Sequence, residues 1–160
     1  MATKDNLAMA FAGESQANRK YLMFAEQADK EGFKGAAKLF RAAAEAEQIH
    51  AFAEFRANNG VGTTEENLKA AISGETFEFT SMYPKMIEEA KSENNAQAAR
   101  VLNYANEAEK VHAKLYTEAL ADIQGDADYY VCPFCGYIHK GTPEASCPIC
   151  GAKSSVFKKF

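Results

Sequence analysis

The sequence predicts an all-α four-helix bundle followed by a small metal-held module, and three observations carry that prediction. Residues 4 to about 123 are rich in Ala, Glu, Lys, Gln and Leu and poor in Gly and Pro, which is helical composition. Two Glu-x-x-His steps, Glu47-x-x-His50 and Glu109-x-x-His112, lie on helical stripes expected to face a core. All four cysteines fall in the last fifth of the chain, in two close pairs.

Taken in order, the first helix spans about 5 to 31 and stops before Gly32. The second spans about 34 to 58 and stops at Asn59-Gly60. The third opens at Thr63-Thr64, where Glu66 completes a capping box with Thr63, and runs to about 92. Pro84 lies inside it and should kink it or mark a local irregularity. The fourth spans about 94 to 123. Gly and Asp then signal a linker, and the chain turns to aromatic, Gly, Pro and Cys residues without helical period. The expected division is a helical domain at 1–124, a linker at 125–128 and a cysteine module at 129–160.

With 160 residues and a net charge of −4, the chain has no basic surface suited to nucleic acid or an anionic membrane. No apolar run approaches the roughly 18 residues of a membrane span. The apolar patch from Leu7 to Ala12 is too short for a signal-peptide core and is bounded by Asp5 and Glu14. A cytoplasmic protein is expected, and clustered cysteines in that compartment point to metal rather than disulfides.

Each helical stripe is mostly apolar yet carries acid. The stripes include Leu7, Phe11, Glu14 and Tyr21; Phe40, Glu47, His50 and Glu54; Ile72, Glu75, Phe79 and Met82; and Leu102, Glu109, His112 and Tyr116. Ionised carboxylates in a bundle interior cost several kcal/mol each unless paired or metal-bound. One Glu from each of two helices plus Glu-x-x-His from each of the other two is the ligand set of ferritin-like di-metal proteins. Glu14 and Glu75 supply the single residues, the two His steps supply the rest, and Glu78 adds an acid one turn after Glu75. Oxygen and imidazole donors suit iron or manganese. A single Glu-x-x-His is weak evidence in a Glu-rich chain; the complete set is what points to a di-metal site. Glu26, Glu45, Glu88 and Glu118 are expected on solvated faces.

Cys132-Pro-Phe-Cys135-Gly and Cys147-Pro-Ile-Cys150-Gly are two C-x-x-C-G knuckles, and four thiolates at this spacing form a closed tetrahedral metal site. The glycines permit tight turns, and backbone N–H groups can point at the sulfurs. Zinc would make the module structural; iron would make it a one-electron carrier. Tyr130, Phe134, Tyr137 and Phe157 supply a small aromatic core, and His139 is expected exposed, with no ligand role.

The segments 11–21 (FAGESQANRKY) and 74–84 (GETFEFTSMYP) resemble signature segments of the rubrerythrin family, and the likeness covers the whole chain, because rubrerythrins end in a rubredoxin-like domain. The resemblance implies iron in the four-cysteine site and a di-iron centre held by Glu14, Glu47, His50, Glu75, Glu78, Glu109 and His112. It implies that one iron changes its ligand between redox states, with Glu78 exchanged for His50, and that Tyr21 and Tyr83 hydrogen-bond ligand carboxylates. It implies a peroxidase that reduces hydrogen peroxide to water, with electrons returned through the cysteine-bound iron from rubredoxin or an NAD(P)H-dependent reductase. The chain itself has no Gly-rich dinucleotide fingerprint. Alternatives are a di-iron oxidase or ferroxidase, and an iron-storage or structural bundle with a zinc ribbon. Zinc or manganese can substitute for iron in an isolated sample.

The ligand pattern has an approximate two-fold relating helices 1–2 to helices 3–4, which makes helices 2 and 3 parallel. Glu47 to the end of helix 2 is about 17 Å and the start of helix 3 to Glu75 about 15 Å, so the connection must span roughly 32 Å. The loop at 59–64 reaches only about 20–24 Å. A homodimer with helix pairs swapped between subunits is therefore expected. His112 lies about 18 Å of helix before the linker, so the cysteine-bound iron is expected away from the site served by its own fourth helix, with a partner subunit bringing the centres together.

Overall fold

The computed structural model describes residues 2–160. Helix α1 is Thr3–Lys30, α2 is Lys34–Ala57, and α3 is Thr64–Phe77. A π-helical segment, Glu78–Met82, joins α3 to α4, Tyr83–Ser92, and the last helix, α5, is Ala96–Ala121. Since α3, the π segment and α4 run on without a break, the chain has the four helices expected.

The helix ends follow local chemistry. The Thr63 hydroxyl accepts from Glu66 N–H at 3.3 Å while Thr63 N–H donates to Glu66 Oε2 at 2.7 Å, the capping box read from the sequence. Such a cap contributes about 1 kcal/mol. Asn95 starts α5 by accepting from Ala98 N–H at 3.0 Å. Three helices end alike, with Gly32, Asn59 and Asn94 at positive φ. At these ends Phe33, Gly60 and Asn95 N–H groups return to the carbonyls of Ala28, Phe55 and Ala90 at 2.8–2.9 Å, the Schellman pattern that satisfies exposed helix carbonyls.

Pro84 explains the π segment. Its ring has no N–H and would strike the carbonyl four residues back in a regular helix. The helix widens just before it, and Tyr83 N–H donates to the Glu78 carbonyl five residues earlier.

The chain packs as two compact units, Met1–Gly62 and Thr63–Phe160. In the first, α1 and α2 form a hairpin along a seam of small residues. Ala37, Ala44 and Ala51, seven apart, are buried together with Ala25 and Ala28. Asn18 Nδ2 crosses the seam to donate to the Ala44 carbonyl at 2.7 Å, and the Phe11 and Phe55 rings stack at 4.8 Å. On α2 the seam lies off the expected stripe of Phe40, Glu47 and His50: Ala37, Ala44 and Ala51 are buried while Phe40 and Glu47 are half-buried and His50 is exposed. Small side chains let the two backbones approach, so the hairpin closes on alanines and leaves the acid-bearing stripe at its margin.

In the second unit α3, the π segment and α4 pack on α5, burying Ile87, Ala90, Ala108 and Ala113. The C-terminal module belongs to this unit. Its strands β1 (Tyr129–Val131), β2 (Ile138–Lys140) and β3 (Lys158–Lys159) form an antiparallel sheet in the order β2-β1-β3, and a 3-10 turn, Ser154–Val156, precedes β3. No helix among the described residues is long and apolar enough to cross a membrane.

Candidate metal centres

The second unit shows how four thiolates are held. Cys132 N–H donates to the Tyr137 carbonyl at 2.9 Å, and Gly136 N–H to the Cys132 carbonyl at 3.1 Å. The second knuckle repeats this, with Cys147 N–H to Ala152 at 2.7 Å and Gly151 N–H to Cys147 at 2.9 Å. Gly136 and Gly151 turn the chain at φ 77° and 76°, where a side chain is strained. Sγ atoms of Cys132 and Cys150 lie 3.5 Å apart, and those of Cys135 and Cys147 3.4 Å apart. A tetrahedron with metal–sulfur bonds of about 2.3 Å has edges of about 3.8 Å, so the thiols need move little to close on one ion.

Backbone N–H groups aim at the sulfurs: Phe134 and Cys135 at Cys132, Tyr137 at Cys135, and Ala152 at Cys150. Burial pushes the Cys135 and Cys150 thiols up, whereas at Cys132 the backbone donors outweigh burial and the thiol is lowered. Such a nest holds thiolate charge. The module core is these cysteines with Tyr137, Ile149 and Phe157 around them, and Tyr104 of α5 packs on the same cluster. Phe134, expected in that core, is 69% exposed. His139 is half-buried rather than exposed, with its Nδ1 3.1 Å from the Tyr137 hydroxyl, and stays outside the thiol cluster.

Each unit also carries one carboxylate–imidazole cluster. In the first, Glu14, Glu47 and His50 present ligand atoms within 4.8 Å of one another. His50 Nδ1 lies 3.1 Å from Glu47 Oε2. Its hydrogen bond with Glu47 raises the Glu14 carboxyl, helped by burial and by the charges of Glu47 and Glu54. In the second, Glu75, Glu109 and His112 converge in the same way. His112 Nδ1 lies 2.6 Å from Glu109 Oε2 and 3.8 Å from Glu75 Oε2. Burial first, then a hydrogen bond with Glu109 and its charge, push Glu75 up to about 7. Glu78 is raised by burial and then by the charge of Glu75. Acids forced to share protons are what a cation would relieve, and the donors are those of a di-metal centre.

The two clusters correspond residue by residue. Glu14, Glu47 and His50 match Glu75, Glu109 and His112, and both imidazoles turn Nδ1 to their glutamate. Tyr21 follows Glu14 by seven positions, whereas Tyr83 follows Glu75 by eight. A π turn absorbs one extra residue, so the segment Glu78–Met82 accounts for the difference. Glu78, at the start of that segment, has no acidic counterpart: the matching position on α1 is Ala17.

The tyrosines differ in surroundings. The Tyr21 ring lies beside Phe24 and Phe40, with centroids at 6.3 and 6.2 Å. The Tyr83 hydroxyl is raised by burial and then by Glu109, Glu78 and Glu75, so it belongs to the acid cluster. Two residues read from the sequence only as members of the stripes, with no site role, join these groups. Tyr116, four after His112, is raised by burial and by Glu75 and Glu109. Glu54, four after His50, has a buried Oε2 with no hydrogen-bond partner, an orphan that a nearby cation would satisfy. Their i+4 spacing from each histidine was the available signal.

One contact overturns an expectation. His112 Nε2 lies 2.9 Å from the Gly136 carbonyl, so the cysteine module sits against its own α5, at the histidine of the second cluster, rather than away from it. Lys140 adds a 3.4 Å ion pair to Glu118. The reason is the linker: His112 to Ala121 rises only about 13.5 Å, and the extended chain from Ala121 to Tyr129 reaches about 26 Å, enough to fold back. Beside this seat lies an apolar cavity of about 450 Å³ walled by Leu68, Tyr116, Val131, Ile138 and Phe160, with His112 on its edge.

Known proteins carry the same two-part plan. Residues 5–120 match the rubrerythrin family model, and residues 130–158 match the model of the rubrerythrin rubredoxin-like domain. The chain is 37% identical to nigerythrin of Nitratidesulfovibrio vulgaris, covering 99% of this chain and 87% of that one. It is 36% identical to rubrerythrin-2 of Clostridium acetobutylicum, covering 99% and 96%. A solved structure of partially reduced nigerythrin superposes with a TM-score of 0.62 at 36% identity, over 100% of this chain and 87% of that one. The cofactors that fit are iron: a pair with carboxylate and imidazole donors, and one ion with four thiolates. With both of its parts matched in order, the chain belongs to the rubrerythrin family.

Proposed function

We propose that this protein is a di-iron peroxidase that reduces hydrogen peroxide to water, protecting a cytoplasm against oxidative stress. The observation that carries this reading is the pairing of a carboxylate–imidazole cluster with a four-thiol nest in one compact unit, joined by the His112–Gly136 contact. Glu14, Glu47, His50, Glu75, Glu78, Glu109 and His112 hold the iron pair in this reading, and Cys132, Cys135, Cys147 and Cys150 hold the single iron. When bound, the ferrous pair supplies the two electrons that break the O–O bond. Glu78 is the acid able to move, because a π segment has spare backbone room, and we assign it the exchange with His50. Tyr83 and Tyr21 orient ligand carboxylates in this assignment, and Tyr83 in its acid-lined site is suited to hold a proton near the departing oxygen.

We further propose a homodimer in which helix pairs are exchanged, so that Glu14, Glu47 and His50 of one subunit meet the other four ligands of its partner. With the observed helix ends, Glu47 to Ala57 rises about 15 Å and Thr64 to Glu75 about 16.5 Å. The connection at 58–63 reaches about 25 Å at most, short of the roughly 32 Å that one chain would need to complete a parallel arrangement. His50 is 58% exposed, and Leu39, Ile49 and Phe52 are exposed apolar residues suited to cover by a second copy. Electrons come from an external one-electron donor such as rubredoxin or an NAD(P)H-dependent reductase. Metal analysis, a visible spectrum and parallel peroxide and oxygen turnover test the reading. Faster oxygen than peroxide consumption would favour an oxidase, and a colourless zinc-filled thiol site would refute electron transfer.

A further inference from the structure

We propose that the apolar cavity beside His112 binds the carbon tail of an organic hydroperoxide, which the protein reduces to the alcohol. The inference rests on the proposed iron pair and extends its substrates beyond hydrogen peroxide.

The cavity lies inside the second unit, between α5 and the C-terminal sheet. On α5, His112, Leu115, Tyr116 and Ala119 fall at i, i+3, i+4 and i+7 and so share one face. Opposite them stands the sheet, where Val131 of β1 pairs with Ile138 of β2 and both side chains line the cavity. Phe160 adds a further wall. It is tied to β1 by two backbone hydrogen bonds with Tyr129, of 2.8 and 3.1 Å, so this wall is part of the sheet.

Size and polarity choose the ligand. A volume of about 450 Å³ is the room of roughly 15 liquid waters at about 30 Å³ each. Hydrogen peroxide has no use for that room, and walls of carbon give water few partners there. An apolar cavity of about 150 Å³ already suffices to bind benzene. Two polar groups stand where the cavity meets the carboxylate cluster. His112 forms its edge, with Nδ1 turned to Glu109 and Glu75. The Tyr116 hydroxyl lies in the field of the same two glutamates. A ligand with a branched alkyl or aryl tail and a reducible polar head matches this layout, with its tail in the cavity and its O–O bond at the cluster.

The step balances with two electrons. The O–O bond of the hydroperoxide ROOH breaks, two electrons from the ferrous pair leave it diferric, and two protons from solvent complete ROH and water. The Tyr116 hydroxyl is placed to donate a hydrogen bond to the oxygen that stays on carbon.

Two measurements test the proposal. In the first, the iron-loaded full-length protein is given cumene hydroperoxide or hydrogen peroxide with the same electron donor. Cumene hydroperoxide should be reduced, with the lower KM of the two. Ala119→Phe, which fills the cavity, should raise the KM for cumene hydroperoxide about tenfold more than that for hydrogen peroxide, the scale on which apolar pockets discriminate. In the second, the zinc-loaded wild-type protein is titrated with 2-phenyl-2-propanol, the unreactive product alcohol. The methyl signals of Leu115 and Ile138 should shift and saturate. Reduction of hydrogen peroxide but not of cumene hydroperoxide overturns the proposal, and so does an equal effect of Ala119→Phe on both. Methyl signals that stay still overturn it too, as they would if a second copy filled the cavity. Failure of the peroxidase reading is distinguishable, because iron-loaded protein would then reduce neither peroxide while the alcohol titration still decided the site.

Discussion

His112 and Gly136, 24 positions apart in the chain, meet through a 2.9 Å hydrogen bond from imidazole to knuckle carbonyl. The relationship seats the cysteine module on α5 within one compact unit. Gly136 serves it twice, by turning at φ 77° and by presenting its carbonyl. A Cβ there would meet nothing within 4 Å, so the cost of Gly136→Ala is conformational. We expect a loss of about 1–2 kcal/mol for an alanine held at left-handed φ. Urea melts of the metal-loaded variant, with the rate of metal release to a chelator, check it.

Tyr83 lies in the field of Glu109, Glu78 and Glu75. Tyr83→Phe should keep the fold and the four-cysteine spectrum while weakening di-metal affinity or peroxide turnover by roughly 10–100-fold, as loss of outer hydrogen-bonding partners does. Titration with ferrous ion and steady-state peroxide assays measure the two effects separately.

The metal-free protein should lose stability as pH rises. Glu75 is raised from its ordinary 4.5 to about 7, chiefly by burial and next by its hydrogen bond with Glu109. The folded chain thus keeps a proton that the unfolded chain releases between 4.5 and about 7. The unfolding free energy then falls as pH rises through that window. Glu14 and Glu78, raised as well, act in the same direction. Chelator-treated protein followed by urea melts should show the decline, and Glu75→Gln should flatten it. Divalent metal should reverse the trend, because its ligands bind deprotonated.

Complementation tests the helix exchange. One chain carrying Glu14→Ala and Glu47→Ala is co-expressed with a second carrying Glu75→Ala and Glu109→Ala. Neither homodimer should hold an iron pair. An exchanged heterodimer regains one intact site, so metal analysis of the doubly tagged species should find one pair per dimer. An unexchanged dimer would hold none.

The four helices were legible because Ala-, Glu- and Lys-rich runs end at residues with a mechanism, namely Gly32, Asn59 and the Thr63–Glu66 box. Pro84 announced an irregularity, although not that it would be a π segment fitting Tyr83 to the pattern of α1. The cysteine knuckles were legible from spacing alone. The alanine seam at Ala37, Ala44 and Ala51 was not, because alanine fits either face of a helix and only packing chooses. Docking of the module on α5 was missed for a related reason. Helical rise carries the chain away from His112, whereas the linker returns it along the helix it has just left.

Under the proposed function, peroxide is reduced at the iron pair with electrons from the cysteine-bound iron. Stopped-flow oxidation of the fully reduced protein by peroxide, recording both iron signals, tests it most directly. The account predicts prompt oxidation of the iron pair, followed by oxidation of the cysteine-bound iron as its electrons move inward, and faster reaction with peroxide than with oxygen. A cysteine-bound iron that stays ferrous while the pair turns over would contradict it.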